Sequence, residues 1–187
     1  ARVQQQYPDA LIVHRLDMAT SGLCVLARGA DAQRRLSMAF AAREVHKRYV
    51  AVVQGLLRGA PDGAWSVIDL PLMPDWPNRP LSKVDHEHGK PSLTRWRVLA
   101  HDERWHAYAI GAPATATTRV ELEPLSGRSH QLRVHMQALG HGILGDPLYG
   151  DAATAPTCSR LMLHAWRLAL LHPVTGVALN FESAAPF

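Results

Sequence analysis

Cysteine is scarce in this 187-residue chain: Cys24 and Cys158 lie far apart and in no metal-like spacing. That excludes a disulfide scaffold and a Cys-rich zinc centre, and it points to a reducing compartment, the cytoplasm. Long apolar runs are absent too, with nothing near the roughly twenty residues that a membrane helix needs. The opening ARVQQQYPDA is polar, unlike a secretory leader. There is no P-loop, no GxGxxG turn and no HExxH pair. Eleven histidines raise the question of a metal, but His86 with His88, and His130 with His135, do not share a helix face at zinc spacing. Neither a metal nor a nucleotide or redox cofactor is therefore expected.

What is present describes a globular chain: 47% apolar and 19% charged residues can build one full core and argue against disorder. The net charge of +4 is concentrated. Arg28, Arg34, Arg35, Arg43, Lys47 and Arg48 face only Asp31 and Glu44 in the same stretch, which accounts for the whole excess. A basic surface of this kind attracts polyanions, although a solvated helix face would carry the same residues.

Apolar periodicity outlines the elements. DALIV (9–13) and LCVLAR (23–28) read as strands joined by the polar loop HRLDMATSG. Asp31 suits an N-cap for the amphipathic helix AQRRLSMAFAARE, and RYVAVVQG (48–55) reads as a strand closed by Gly55. Residues 56–92, rich in proline and glycine, are expected to be irregular. SLTRWRVLA and TRVELEP then form a long hairpin, with HDERWHAYAIGAPATATTR as its extension. HQLRVHMQAL reads as a helix capped by Ser129 and Gly140, burying Leu132, Met136 and Leu139. Two closing strands flank a PVTG turn. The prediction is an α+β fold with a mostly antiparallel sheet, residues 1–187 forming one domain.

Three polar groups stand on loops beside these elements: Arg15 with Asp17, Lys47 to Tyr49, and Gly127 to Gln131. Loops held by a rigid scaffold are where catalytic groups tend to lie. Arg128 stands at a helix entrance, and an adjacent guanidinium would keep a carboxylate ionised, which suits a nucleophile or base more than a general acid. Ser21 with His14 and Asp17 is too crowded, and lacks the GxSxG elbow, for a hydrolase triad.

In order and spacing, HRLDMATSGL, KRYVAVVQG, GRSHQLRVHMQALGHGILGDPLYG and LMLHAWRLALLHP resemble the signature blocks of the RluA family of RNA pseudouridine synthases. DLPLMPDWPNRP and HEHGKPSLTRWRVL are similar to its dual-specificity members, which act on tRNA and 23S rRNA. The resemblance implies the pseudouridine synthase catalytic fold, with a mixed, mostly antiparallel central sheet flanked by helices and loops. It also implies a monomer with no S4-like RNA-binding domain, and an upstream strand and loop that this chain lacks. By the same resemblance Asp17 is the essential aspartate that attacks or deprotonates the uridine ribose. Tyr49 packs on the target base and handles its C5 proton, and Arg128 pairs with the aspartate. Arg15 fills the stack left by the flipped base, and Leu163 lines the uracil pocket. Arg34, Arg35, Arg43, Lys47 and Arg48 are expected to meet RNA phosphates. A non-catalytic RNA-binding module, with Trp76 and Trp96 as a stacking platform, is the competing class.

Overall fold

The computed structural model describes residues 2–105, 115–150 and 158–187. A short helix α1 (Arg2–Gln6) leads into strand β1 (Ala10–Ile12). After the polar loop come β2 (Ser21–Gly22), β3 (Leu26–Arg28), helix α2 (Ala30–Ala41) and β4 (His46–Gln54). Three short strands follow, β5 (Ser66–Asp69), β6 (Leu72–Pro74) and β7 (Ser82–Val84). The long pair β8 (Leu93–Trp105) and β9 (Thr115–Pro124) precedes helix α3 (Gln131–Ala138), and β10 (Leu163–Leu171) and β11 (Ala178–Glu182) complete the order.

The main sheet runs β11-β10-β4-β9-β8-β5, every neighbour antiparallel, with β2 added parallel to β10. This is the α+β, mixed and mostly antiparallel architecture expected from the sequence. β4 lies in the middle, and its second half, Val50 to Val53, is continuously buried because the sheet is covered on both faces there. Its first half stays partly open, which leaves Lys47 and Tyr49 at the boundary between core and solvent. The core joins Ala51, Val53, Val120 and Leu122 of the sheet to Leu132 and Met136 of α3 and to Ile143 and Leu144. A second cluster seats Leu36 of α2 against Ala27, Leu168 and Leu170.

Several local expectations give way to tertiary context. Residues 56–92 are not merely irregular: β5 pairs with β8, and β6 with β7, because prolines punctuate the segment without removing the short ladders between them. Helix α2 begins two residues earlier than an Asp31 cap requires. Gly29 is its N-cap, and Asp31 instead stands in the first turn, where its charge favours the helix dipole. Helix α3 is capped by His130 in the left-handed region rather than by Ser129. The side chain of Gln131 reaches back instead, its Oε1 accepting the Arg128 N–H at 3.0 Å. The helix has no polar stripe: Gln131 to Met136 are all buried, whereas Leu139, expected inside, is 37% exposed. Trp96 belongs to the core, so only Trp76, under the guanidinium of Arg79 at 3.6 Å, stands exposed. Of the expected hairpin extension, 101–105 and 115–119 continue β8 and β9, and 106–114 lie outside the described residues.

Candidate active site

The loop VHRLDMATSG is fixed at both ends by the strands around it. His14 Nε2 accepts the Val25 N–H at 2.9 Å while its ring stacks on Phe40 at 4.5 Å. Burial, then the charge of Lys47, pushes the His14 imidazole down to about 4, as befits a ring held neutral with its lone pair in use. At the other end, Leu23 N–H donates to Ala165 O, and Gly22 lies against β10. Between these anchors a turn closed by Thr20 N–H on Asp17 O lifts the Asp17 carboxylate into a cavity of about 640 Å³. Lys47, Tyr49 and Leu163 form its sheet side, and Arg128, His130 and Arg133 come from the β9–α3 junction.

The carboxylate of Asp17, about a quarter exposed, meets two side chains from α3 and its cap. Arg133 Nη1 lies 3.5 Å from Oδ2, and His130 Nε2 lies 4.0 Å from Oδ1. Arg133 is itself locked from behind. Its Nε and Nη2 donate to the two oxygens of Asp146 at 2.7 and 2.6 Å, a bidentate pair in which both partners are buried. Asp146 Oδ1 also accepts the Leu148 and Tyr149 N–H groups. The guanidinium therefore has one direction left in which to offer a charge, and Asp17 stands there.

Tyr49 is the other reactive group in the cavity. Burial, and then the negative charge of Asp17, pushes its phenol up to about 12, so at neutral pH it is a hydrogen-bond donor. Burial also holds the Lys47 ammonium below its usual range.

The structure brings Asp17, Tyr49, Arg15, Leu163, Arg43, Lys47 and Arg128 to one cavity. It corrects the partner of the carboxylate. Among the described residues Arg128 makes no ion pair with Asp17; its Nε is buried without a hydrogen-bond partner, and the pairing arginine is Arg133. Arg48 stands apart from this cavity. Alternation along β4 turns it to the opposite face from Tyr49, where it pairs with Glu121 at 3.4 Å and lies over Trp65. Arg34 is exposed on α2, and Arg35 donates to Pro173 O, so the pair does not line the cavity. Ser21 bonds His164 rather than His14. His130, Arg133, Asp146 and Tyr149 were the residues missed. Their signal was faint: a second arginine five positions after Arg128, and a GDPLYG turn whose aspartate had no evident partner.

Comparison with known proteins identifies the family. The family described as RNA pseudouridylate synthase matches residues 2–138. The dual-specificity RNA pseudouridine synthase RluA of Escherichia coli (strain K12) is 46% identical over 186 residues, a match covering all of this chain and 78% of that protein. The RluA of Yersinia pestis is also 46% identical, with 83% of its length covered. Among solved structures, human RNA pseudouridylate synthase domain containing 1 superposes with a TM-score of 0.79 at 30% identity, over all of this chain and 73% of that one. Human RNA pseudouridylate synthase domain containing 4 shares the fold, with a TM-score of 0.70 at 24% identity over all of this chain and 76% of that one. The chain thus belongs to the RluA family of RNA pseudouridine synthases, enzymes that isomerise uridine to pseudouridine within RNA.

Proposed function

We propose that isomerisation is carried out by Asp17, held by Arg133, with Tyr49 facing it, on a uridine in a stem-loop shared in shape by a tRNA and 23S rRNA. The observation that carries this reading is the Asp17 carboxylate: it opens on a cavity able to take a base and is ion-paired to an arginine that a buried carboxylate holds in place. A stacked uridine must be extruded to reach it, at a cost of roughly a few kcal/mol, least where the base is already unstacked in a loop. Arg15, exposed at the rim, fills the vacated stack, and Leu163 supplies an apolar wall for the uracil. Asp17 acts at the ribose. The N1–C1′ bond breaks, a C5–C1′ bond forms, C5 gives up its proton and the freed N1 takes one up, leaving the composition of the nucleotide unchanged. Such a reaction needs no cofactor. Arg43, Lys47 and Arg128 receive phosphates around the cavity mouth, and Arg34 and Arg35 add a more distant field.

Residues 1–187 act as one catalytic unit, a monomer working in the cytoplasm. Among the described residues no helix is long and apolar enough to cross a membrane. The dual substrate rests on relatives named for dual specificity and on the DLPLMPDWPNRP and HEHGKPSLTRWRVL blocks. Mapping pseudouridine in total RNA from a strain lacking this protein tests it. One tRNA site and one 23S rRNA site should lose the modification together, and loss confined to rRNA contradicts dual specificity.

A further inference from the structure

The Asp17 carboxylate has two oxygens, and Arg133 accounts for only one. We propose that His130 is a positioning residue for the other, with its Nε2–H directed at Asp17 Oδ1 and its tautomer set by Tyr149. This rests on the reading of Asp17 as the reactive group.

The geometry runs as a chain of hydrogen-bonding groups. The Ser82 N–H in β7 donates to Tyr149 Oη at 2.7 Å, and Tyr149 Oη lies 2.6 Å from His130 Nδ1. With the Ser82 N–H already directed at the phenol oxygen, the phenol's own proton goes to Nδ1. The remaining ring nitrogen then carries the N–H, and it is the one 4.0 Å from Asp17. That separation is about 1 Å longer than a hydrogen bond, a gap that catalytic contacts commonly close only when substrate is bound. His130 cannot drift to find another partner. Its backbone is left-handed at φ 55°, its ring lies edge-on to Tyr149 at 5.4 Å, and its side chain is only 12% exposed. Tyr149 is in turn packed with Leu72 and Val134.

The charges facing the ring are Asp17 and Asp146, which favour its protonation, and Arg133 and Arg15, which oppose it. Burial outweighs the carboxylates and holds the imidazole below its ordinary range, so the neutral form with one N–H is the one presented at neutral pH. The chain also ties the loop end of the β6–β7 hairpin, where Ser82 pairs with Pro74, to the reactive carboxylate, a connection that no pair of sequence neighbours suggests.

The test compares His130→Leu, His130→Gln and Tyr149→Phe, with Asp17→Asn in parallel, by tritium release from total [5-³H]uridine-labelled RNA of a strain lacking the enzyme. A displaced carboxylate should lower kcat of His130→Leu about 100-fold while KM stays within about twofold. His130→Gln, whose amide reaches the same place, should recover most of kcat, and Tyr149→Phe should fall between them. Two results overturn the proposal: a raised KM with kcat intact, or a glutamine variant as slow as the leucine variant when both melt with wild type. If His130→Leu does not fold, Tyr149→Phe decides, and an unchanged kcat there overturns it. Full turnover by Asp17→Asn would instead remove the Asp17 reading and this proposal with it. An inactive Asp17→Asn beside a normal His130→Leu removes the proposal alone.

Discussion

His14 and Asp17 stand three positions apart and do opposite work. His14 is buried, neutral and engaged with the Val25 N–H, so it anchors the loop and does no chemistry. Asp17 is partly open, ion-paired to Arg133 and close to His130. The pKa of His14, about 4 in the fold against an ordinary value of 6.5, gives a pH prediction with a definite sign. Between those values the unfolded chain binds a proton that the folded one refuses, so stability rises with pH there. The contribution of His14 is complete above pH 6.5 and is lost as pH falls towards 4. His14→Gln, which keeps an acceptor for Val25, should flatten the fall in Tm across that window; an unaltered slope would mean that His14 is protonated at no cost. Arg133 illustrates why the site was only partly legible. Both arginines of GRSHQLRVH were visible, but which of them meets Asp17 depends on Asp146, thirteen residues further on and paired only in three dimensions.

Elements with strong periodicity were readable. α2, β4, the β8–β9 pair and the closing hairpin all lie close to where apolar spacing puts them. The failures were at the joints. The cap of α3 is a left-handed histidine held by its packing, and the ladders between prolines in 66–84 are too short to announce themselves. The clearest joint is Gly22, which closes the reactive loop against β10. Its φ is +111°, and a Cβ there would lie 2.3 Å from the backbone oxygen of Ala165, so neither backbone nor space admits another residue. Gly22→Ala should destabilise the protein by about 2 kcal/mol or more, from strain plus the separation of β2 from β10. It should also lower turnover, by loosening the loop that carries Asp17. Urea denaturation measures the first effect, and a change below about 0.5 kcal/mol, the range of an ordinary surface substitution, would show that the β2 contact is dispensable.

Over the whole molecule, the basic segment of the sequence is divided by the fold. Arg43 and Lys47 face the cavity, while Arg48 lies behind the sheet with Glu121 and Trp65. Net charge was legible from composition, but the direction of each side chain was not, because alternation along β4 sends neighbours to opposite faces. Binding of substrate RNA across a KCl series should separate them. Arg43→Ala and Lys47→Ala should each reduce the log–log salt slope by roughly 0.7 to 0.9, whereas Arg48→Ala should leave it unchanged. Equal effects at all three positions would place the RNA on both faces of the sheet. The most direct measurement is tritium release from a [5-³H]uridine-labelled substrate stem-loop by Asp17→Asn, with RNA affinity and Tm measured alongside. The amide keeps the shape of the side chain and removes its charge, so release should vanish while affinity and Tm stay at wild-type values. Release at the wild-type rate would contradict the assignment of Asp17 as the group that starts the reaction.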